Sequence, residues 1–223
     1  MRIVDRLLSP GVSVSFEVFP PKKEDDFPRA EQVVREIASL SPSYLSVTFG
    51  AGGERPRNTV RVAERVQQLG VPALAHLTCA ASTRDQVSSV LDQLRGHGIE
   101  NVLALRGDIP SGGDFPTPRQ YRYASELVSE IKARGGFCIG AACYPEGHVD
   151  CEHKEDDIGR LKEKVDCGCD FLTTQMFFDN NVFYNFLYRI LAKGICVPVV
   201  AGIMPVTNSR QIRRICALSG TVL

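Results

Sequence analysis

The feature that most constrains this chain is an alternation. Short apolar, β-rich runs recur at fairly even spacing: VSVSFEVF (12–19), YLSVTF (44–49), ALAHL (73–77), NVLAL (101–105), FCIGAA (137–142), FLTTQMF (171–177) and VPVVAGI (197–203). Amphipathic patterns of period 3.6 separate them. Phe27, Ala30, Val33, Val34, Ile37 and Leu40 line one face, and Val60, Ala63, Val66 and Leu69 the next. Thr83 and Gln86 have capping-box spacing ahead of Val87, Val90, Leu91 and Leu94, with Gly96 and Gly98 at the exit. Later faces are Tyr123, Leu127 and Ile131; Ile158, Leu161 and Val165; Phe183, Phe186, Leu187 and Ile190; and Ile212, Ile215 and Cys216.

Seven successive βα units with no linker between them predict an α/β fold, one parallel sheet under helices in a single domain over 1–223. Two architectures fit, a doubly wound sheet and a (β/α)8 TIM barrel. The dinucleotide fingerprint G-x-G-x-x-G is missing after the first strand, and GAGG (50–53) follows the second with the wrong spacing. Polar residues instead stand at the C-terminal ends of nearly every strand, namely Glu17, Thr48, His76, Arg106 with Asp108, Tyr144 with His148, and Gln175. Convergence from many strands is a barrel trait. The expectation is therefore a TIM barrel with seven βα units present, lacking the last, because SGTVL ends where an eighth would begin. A barrel so opened would leave unpaired edges and fold poorly alone.

Composition narrows the function. Lys plus Arg and Asp plus Glu each count 26, so the formal charge is zero and no basic excess exists for nucleic acid or an anionic membrane. The N-terminus MRIVDRLLSPGV lacks the unbroken apolar core of a signal peptide, and no run is long enough to span a bilayer, which points to the cytoplasm. The eight cysteines sit largely in apolar stretches, and buried thiols in a reducing compartment explain them better than disulfides. His148, Cys151 and His153 are too weak a grouping to predict a metal, and none is expected.

Several positions carry chemistry. Period-two alternation in SFEVFPPK puts Ser15, Glu17 and Phe19 on one face. A carboxyl held near the mouth of a poorly solvated barrel has its pKa raised and can serve as a general acid, although an ion pair with a structural cation explains it equally well. LALRGD leaves its strand through a glycine that allows close backbone approach to a ligand. Tyr144, His148 and Lys164 offer an aromatic and cations suited to a flat heterocycle bearing phosphates, while each alone also reads as packing or solvated surface.

Taken in order, FEVFPPK, VTFGAGG, HLTC, LALRGD, YAS, YPEGH, TTQMFFD and GIMPV resemble the methylenetetrahydrofolate reductases across the whole chain. The resemblance implies a barrel that binds FAD noncovalently, takes hydride from NADH or NADPH and reduces methylenetetrahydrofolate to methyltetrahydrofolate. It implies catalytic roles for Glu17, the acid that helps open the folate ring, for Asp108, against the pterin and the flavin, and for Gln175, bonding folate and nicotinamide in turn. FAD contacts fall on Phe49, His76, Arg106, Gly107, Asp108, Tyr123, Ala124, Tyr144, His148, Asp157 and Lys164, with Thr48 near the nicotinamide. Folate contacts fall on Asp108, Gln175 and Gln211. The chain departs from the pattern at Arg160 and Glu163, which are not assigned, and at Ile215, where the resemblance expects an aromatic stacked on folate. Barrel flavoproteins of this resemblance commonly self-associate into homo-oligomers. The competing readings are a noncatalytic flavin- or folate-binding partial barrel and another barrel flavoprotein of proline dehydrogenase type.

Overall fold

The computed structural model describes residues 1–49, 56–109, 120–151 and 153–222. The chain divides into two compact units, Met1–Gly140 and Ala141–Leu223. Strands follow one another in chain order, as expected of a barrel-type α/β fold with seven βα units.

The first unit holds β1 (Ser15–Val18), β2 (Tyr44–Val47), β3 (Ala73–Thr78), β4 (Asn101–Leu105) and the start of β5 (Cys138–Cys143). The first four pair in parallel, and their register builds two faces. Ser15 and Tyr44, then Glu17, Ser46 and Leu74, then His76 and Leu103 lie in rows on one face. Leu45, Val47, Ala73, Ala75, Val102 and Ala104 line the other and are fully buried. Of the helices α2 (Phe27–Ala38), α3 (Pro56–Gln68), α4 (Arg84–Gly96) and α5 (Ala124–Arg134), α3 packs on β2 and β3, and α5 packs on β4. Their buried stripes, such as Val87, Val90, Leu91 and Leu94 on α4, follow the 3.6 period of the sequence. The capping box forms as spaced: Thr83 Oγ1 accepts from Gln86 N (3.2 Å), and Gln86 Oε1 accepts from Thr83 N (2.8 Å).

The N-terminal run is more than a leader into β1. It forms the short helix α1 (Ile3–Leu7), which the buried side chain of Asn101 anchors. Asn101 Oδ1 accepts from Ile3 N (2.8 Å), and its Nδ2 donates to the carbonyls of Met1 (3.1 Å) and Ala73 (3.2 Å). One amide thus ties α1 to the N-terminal ends of β3 and β4. This end of the strands is covered, and the strand exits at the opposite end carry the polar residues.

The second unit holds the rest of β5, β6 (Phe171–Thr174) and β7 (Val199–Val200), with α6 (Lys154–Asp166), α7 (Asn180–Ala192) and α8 (Ser209–Ser219). Asp179 and Asn208 cap α7 and α8 by accepting from Asn181 N (2.8 Å) and Gln211 N (3.0 Å). The predicted α8 face is realised: Ile212, Cys216 and Met176 form a buried cluster with Ile215, Phe178 and Met204 packed against it.

Three expectations shift. The first strand begins at Ser15 rather than Val12, because Val12 and Val14 are exposed and the ladder starts at the Ser15–Tyr44 pair. The seventh strand shrinks from seven residues to two. Pro198 has no N–H to give, and Gly202 N donates to the Thr174 hydroxyl (2.8 Å), which ends backbone pairing. Tyr123, read as part of a helix face, is instead the residue before α5 and is 41% exposed. Glu126 accepts from its N–H (3.1 Å). All eight cysteines are thiols; Cys79, Cys138, Cys143, Cys169 and Cys216 are buried, Cys151 and Cys167 partly so, and Cys196 is exposed.

Candidate active site

In the first unit the site grows out of strand register. Glu17 and Ser46 are partners across β1 and β2, and His76 lies on the same face two residues beyond Leu74, the β3 partner of Ser46. The side chains converge: Ser46 Oγ is 2.6 Å from His76 Nε2, and Glu17 Oε2 is 4.0 Å from the same nitrogen. His76 is buried, and desolvation lowers its pKa from 6.5 to about 4, so the imidazole is neutral at physiological pH. A neutral ring cannot draw Glu17 into an ion pair. Although 49% of the Glu17 side chain is open, burial of the remainder raises its carboxyl above the ordinary value. The carboxyl is thereby harder to ionise than a free one, which is the direction a general acid needs.

Thr48 and Phe49 follow β2. Thr48 continues the ladder through its N–H to the Val18 carbonyl (3.0 Å), and its own carbonyl accepts from Thr59 Oγ1 on α3 (2.9 Å). Asn58 Nδ2, one residue earlier, donates to the Pro21 carbonyl (2.9 Å), so the first turn of α3 secures the exits of β1 and β2 together.

The exit of β4 is fixed from β3. Cys79 N donates to the carbonyls of Leu105 (3.2 Å) and Arg106 (3.1 Å), and Ala80 N donates to Arg106 (2.8 Å). Gly107 follows at φ +79, where an added Cβ would lie 2.9 Å from Thr78 Cβ. The glycine of LALRGD is thus required by its backbone angle and by β3 itself. Arg106 is partly buried and Asp108 exposed. Cys79 Sγ reaches toward the Tyr123 carbonyl (3.9 Å), which brings the segment carrying Tyr123 and Ala124 to the β3 exit. Burial raises the Cys79 thiol to about 12, so it is no nucleophile.

In the second unit Tyr144 and His148 meet edge to face, with centroids 4.6 Å apart and planes at 79°. His148 Nδ1 accepts from Asp150 N (3.1 Å), which orients the ring. The carboxylate of Glu146 accepts from Val222 N (3.1 Å to each oxygen), and Thr221 Oγ1 donates to the Met176 carbonyl (3.1 Å). These bonds tie the YPEGH loop and the β6 exit to the segment after α8. Lys164 on α6 donates through Nζ to the Ala142 carbonyl (2.8 Å). Lys164 and Asp157, both partly buried, act electrostatically on the Cys143 thiol, but burial dominates and holds it at about 12. Gln175 N donates to the Cys143 carbonyl (2.8 Å), while Gln175 Oε1 turns back to accept from Met176 N (2.9 Å). Gln211 is exposed in the first turn of α8. Ile215 packs in the apolar cluster with Met176.

The positions named from sequence thus fall into two groups. Glu17, Thr48, Phe49, His76, Arg106, Gly107, Asp108, Tyr123 and Ala124 stand on the first unit, and Tyr144, His148, Asp157, Lys164, Gln175 and Gln211 on the second. Sequence reading missed Ser46. The signal was present, because Ser46 and Thr48 alternate on one face of YLSVTF, but only register showed that Glu17 is its neighbour. His148, Cys151 and His153 form no metal-binding group among the described residues; Cys151 Sγ donates to the His153 carbonyl (3.2 Å).

Comparison with known proteins agrees with this architecture. Among solved structures, a 2,3-dimethylmalate lyase of the PEP mutase/isocitrate lyase superfamily superposes with a TM-score of 0.60 at 10% identity, covering 98% of this chain and 94% of that one. Tryptophan synthase from M. tuberculosis does so with a TM-score of 0.61 at 14% identity, covering 99% and 85%. At such identities these likenesses speak for the fold alone. Residues 2–223 match the family model described as methylenetetrahydrofolate reductase. The 5,10-methylenetetrahydrofolate reductase of Pectobacterium carotovorum is 36% identical over 209 residues, covering 93% of this chain and 69% of that protein. The Escherichia coli K12 protein of the same description is 36% identical, with coverage of 91% and 68%. Methylenetetrahydrofolate reductase (NADH) 1 of Arabidopsis thaliana is 35% identical over 239 residues, covering 99% of this chain and 40% of the plant protein. On the match of almost its whole length, this chain belongs to the methylenetetrahydrofolate reductase family.

Proposed function

We propose that the protein carrying this chain reduces 5,10-methylenetetrahydrofolate to 5-methyltetrahydrofolate, with bound FAD as the redox group and NADH or NADPH as the hydride donor. The single observation that carries this reading is Glu17, a carboxyl raised toward its protonated form on the same strand face as Thr48 and beside a neutral His76.

The side chains suit a flavin dinucleotide. Arg106 on the first unit, and His148 and Lys164 on the second, are each polar or cationic groups of the kind a pyrophosphate takes. Tyr123 and Tyr144 supply aromatic surface for rings, Gly107 bares backbone at a strand exit, and Phe49, His76, Asp108, Ala124 and Asp157 complete the set. FAD supplies two-electron hydride chemistry when bound, and the protein supplies orientation and protons.

Glu17 gives a proton to the amine nitrogen released when the folate five-membered ring opens, which leaves the iminium carbon ready for hydride. His76, being neutral, does not stabilise the ionised carboxylate as an imidazolium partner would. Asp108 stands by the pterin, Gln175 bonds folate and nicotinamide in turn, Gln211 contacts folate, and Thr48 lies toward the nicotinamide. The zero net charge and a folate substrate fit a protein of one-carbon metabolism acting on a small molecule in the cytoplasm as one barrel domain, and the resemblance to barrel flavoproteins makes a homo-oligomer the expected assembly. Among the described residues no helix is long and apolar enough to cross a membrane.

The test is the visible spectrum of the purified full-length protein followed by its two half-reactions measured separately. A flavin spectrum, bleaching by NADH or NADPH, and recolouring by methylenetetrahydrofolate with formation of methyltetrahydrofolate are the expected results. A protein that stays colourless after incubation with FAD, or whose reduced flavin ignores the folate, overturns the proposal.

A further inference from the structure

One buried contact in the first unit includes a residue to which no role has yet been given, Ser46. Ser46 and His76 are each only 7% exposed, and the 2.6 Å between Ser46 Oγ and His76 Nε2 is a short hydrogen bond. The same nitrogen lies 4.0 Å from Glu17 Oε2, beyond hydrogen-bonding distance. One imidazole nitrogen therefore faces two oxygens, and the hydroxyl holds it. Register makes the arrangement deliberate, since Ser46 is the direct β2 partner of Glu17 and His76 stands on the next strand of the same face.

We propose that Ser46 is a positioning residue for the proton-donating carboxyl: by engaging His76 Nε2 it holds the ring away from Glu17 and keeps that nitrogen from hydrogen-bonding to the Glu17 carboxylate. The inference rests on the reductase reading of the site. Without the hydroxyl, a buried Nε2 has lost its partner, and the Glu17 carboxylate is the acceptor a small side-chain rotation away. A carboxylate that accepts a hydrogen bond from the ring N–H is stabilised in its ionised form, which is the form that has no proton to give. Tyr44 on β2 also interacts with Glu17, and burial keeps that phenol neutral through the working range. Burial raises the Glu17 carboxyl, and the Ser46 hydroxyl, by holding His76 Nε2, keeps the ring from offsetting that rise.

The experiment follows oxidation of reduced flavin by methylenetetrahydrofolate as a function of pH in the full-length, FAD-loaded protein, for the wild type, Ser46→Ala and Ser46→Thr. In Ser46→Ala the midpoint of the alkaline fall in rate moves down by about one pH unit. Ser46→Thr, which keeps the hydroxyl, returns it to the wild-type position. A midpoint that stays put in Ser46→Ala, whatever uniform loss of rate accompanies it, overturns the proposal. Nitrogen-15 spectra of His76 in the wild type judge the contact without any variant. One neutral tautomer, unchanged from about pH 5 to about pH 9, is expected. Tautomer averaging, or titration near the ordinary histidine value, overturns it. If the wild type transfers no hydride to methylenetetrahydrofolate, the reductase reading fails on its own, and the spectra still decide whether Ser46 holds His76.

Discussion

The two units present their chemistry by different means. In the first, Glu17, Ser46 and His76 are on paired strands, and their distances follow from backbone register. In the second, Tyr144, His148, Gln175 and Gln211 stand on loops and a helix turn, and side-chain bonds place them: Asp150 N to His148, Met176 N to Gln175 Oε1, and Asn208 to the N-terminus of α8. The pairing itself differs too, since β3 and β4 share five register pairs whereas β6 and β7 share two. Ser46 and His76 of the first unit are buried, while Gln211 of the second is exposed. The candidate acid is thus placed by backbone register, whereas the candidate ligand positions of the second unit are placed by side-chain bonds. A proton donor needs a fixed pKa and hence a fixed environment, whereas a surface that must serve two successive substrates gains from side chains able to turn.

The sharpest way to break this comparison is Glu17→Gln in the full-length protein. It keeps shape and removes the transferable proton, so folate reduction slows by about 10²-fold or more while flavin reduction by the nicotinamide is nearly intact. Rapid-mixing measurement of both half-reactions separates this from a structural role, which depresses the two equally.

Next in size is a pH effect on stability. His76 has a folded pKa of about 4 against 6.5 unfolded, a depressed basic group. The unfolded chain therefore binds the extra proton first as pH falls. The stabilising contribution is complete above about pH 6.5 and is lost progressively toward pH 4, amounting to about 3 kcal/mol. Denaturant titrations of the wild type and His76→Gln across this window give a smaller loss of stability on acidification in the variant; parallel curves would show that His76 is not neutral in the folded state.

Glycine substitutions test backbone placement in each unit. At Gly202 a Cβ would lie 2.3 Å from the Thr174 carbonyl oxygen, which is backbone and cannot turn away. Gly202→Ala costs on the order of 3 kcal/mol and lowers the melting temperature. Gly107→Ala meets a side chain at 2.9 Å and a φ of +79, for roughly 1 to 2 kcal/mol, with weaker flavin retention as its second readout. Equal, negligible shifts in both would mean that neither strand exit is held as tightly as these distances imply.

The smallest expected effect is that of Thr83→Ala, which removes a cap from α4 far from the chemistry. It costs about 1 kcal/mol in thermal melts with both half-reactions unchanged.

Much of this could be read from residues alone. Period two and period 3.6 are local, so the alternation of strands and helices, the α4 capping box and the apolar face of α8 were all legible. The order of eight motifs carried the family. Strand ends were less legible: apolar residues at 12–14 and 201–203 look like strand, but whether a ladder continues depends on a partner offering its N–H and C=O. The N-terminal helix was missed because its anchor, Asn101, is nearly a hundred positions away.

By itself, then, the sequence determined the α/β class, the number and order of βα units, and the residue types standing at strand exits, because these rest on side-chain periodicity and on neighbours within a few positions. Tertiary structure alone decided that Ser46 rather than Glu17 holds His76, that Asn101 ties α1 to β3 and β4, and that β7 stops at Val200 with Gly202 N turned to the Thr174 hydroxyl. Each of these depends on hydrogen bonds between residues far apart in the chain. Such a bond forms or fails over a fraction of an ångström, and only packing the sheet against its helices sets distances that finely.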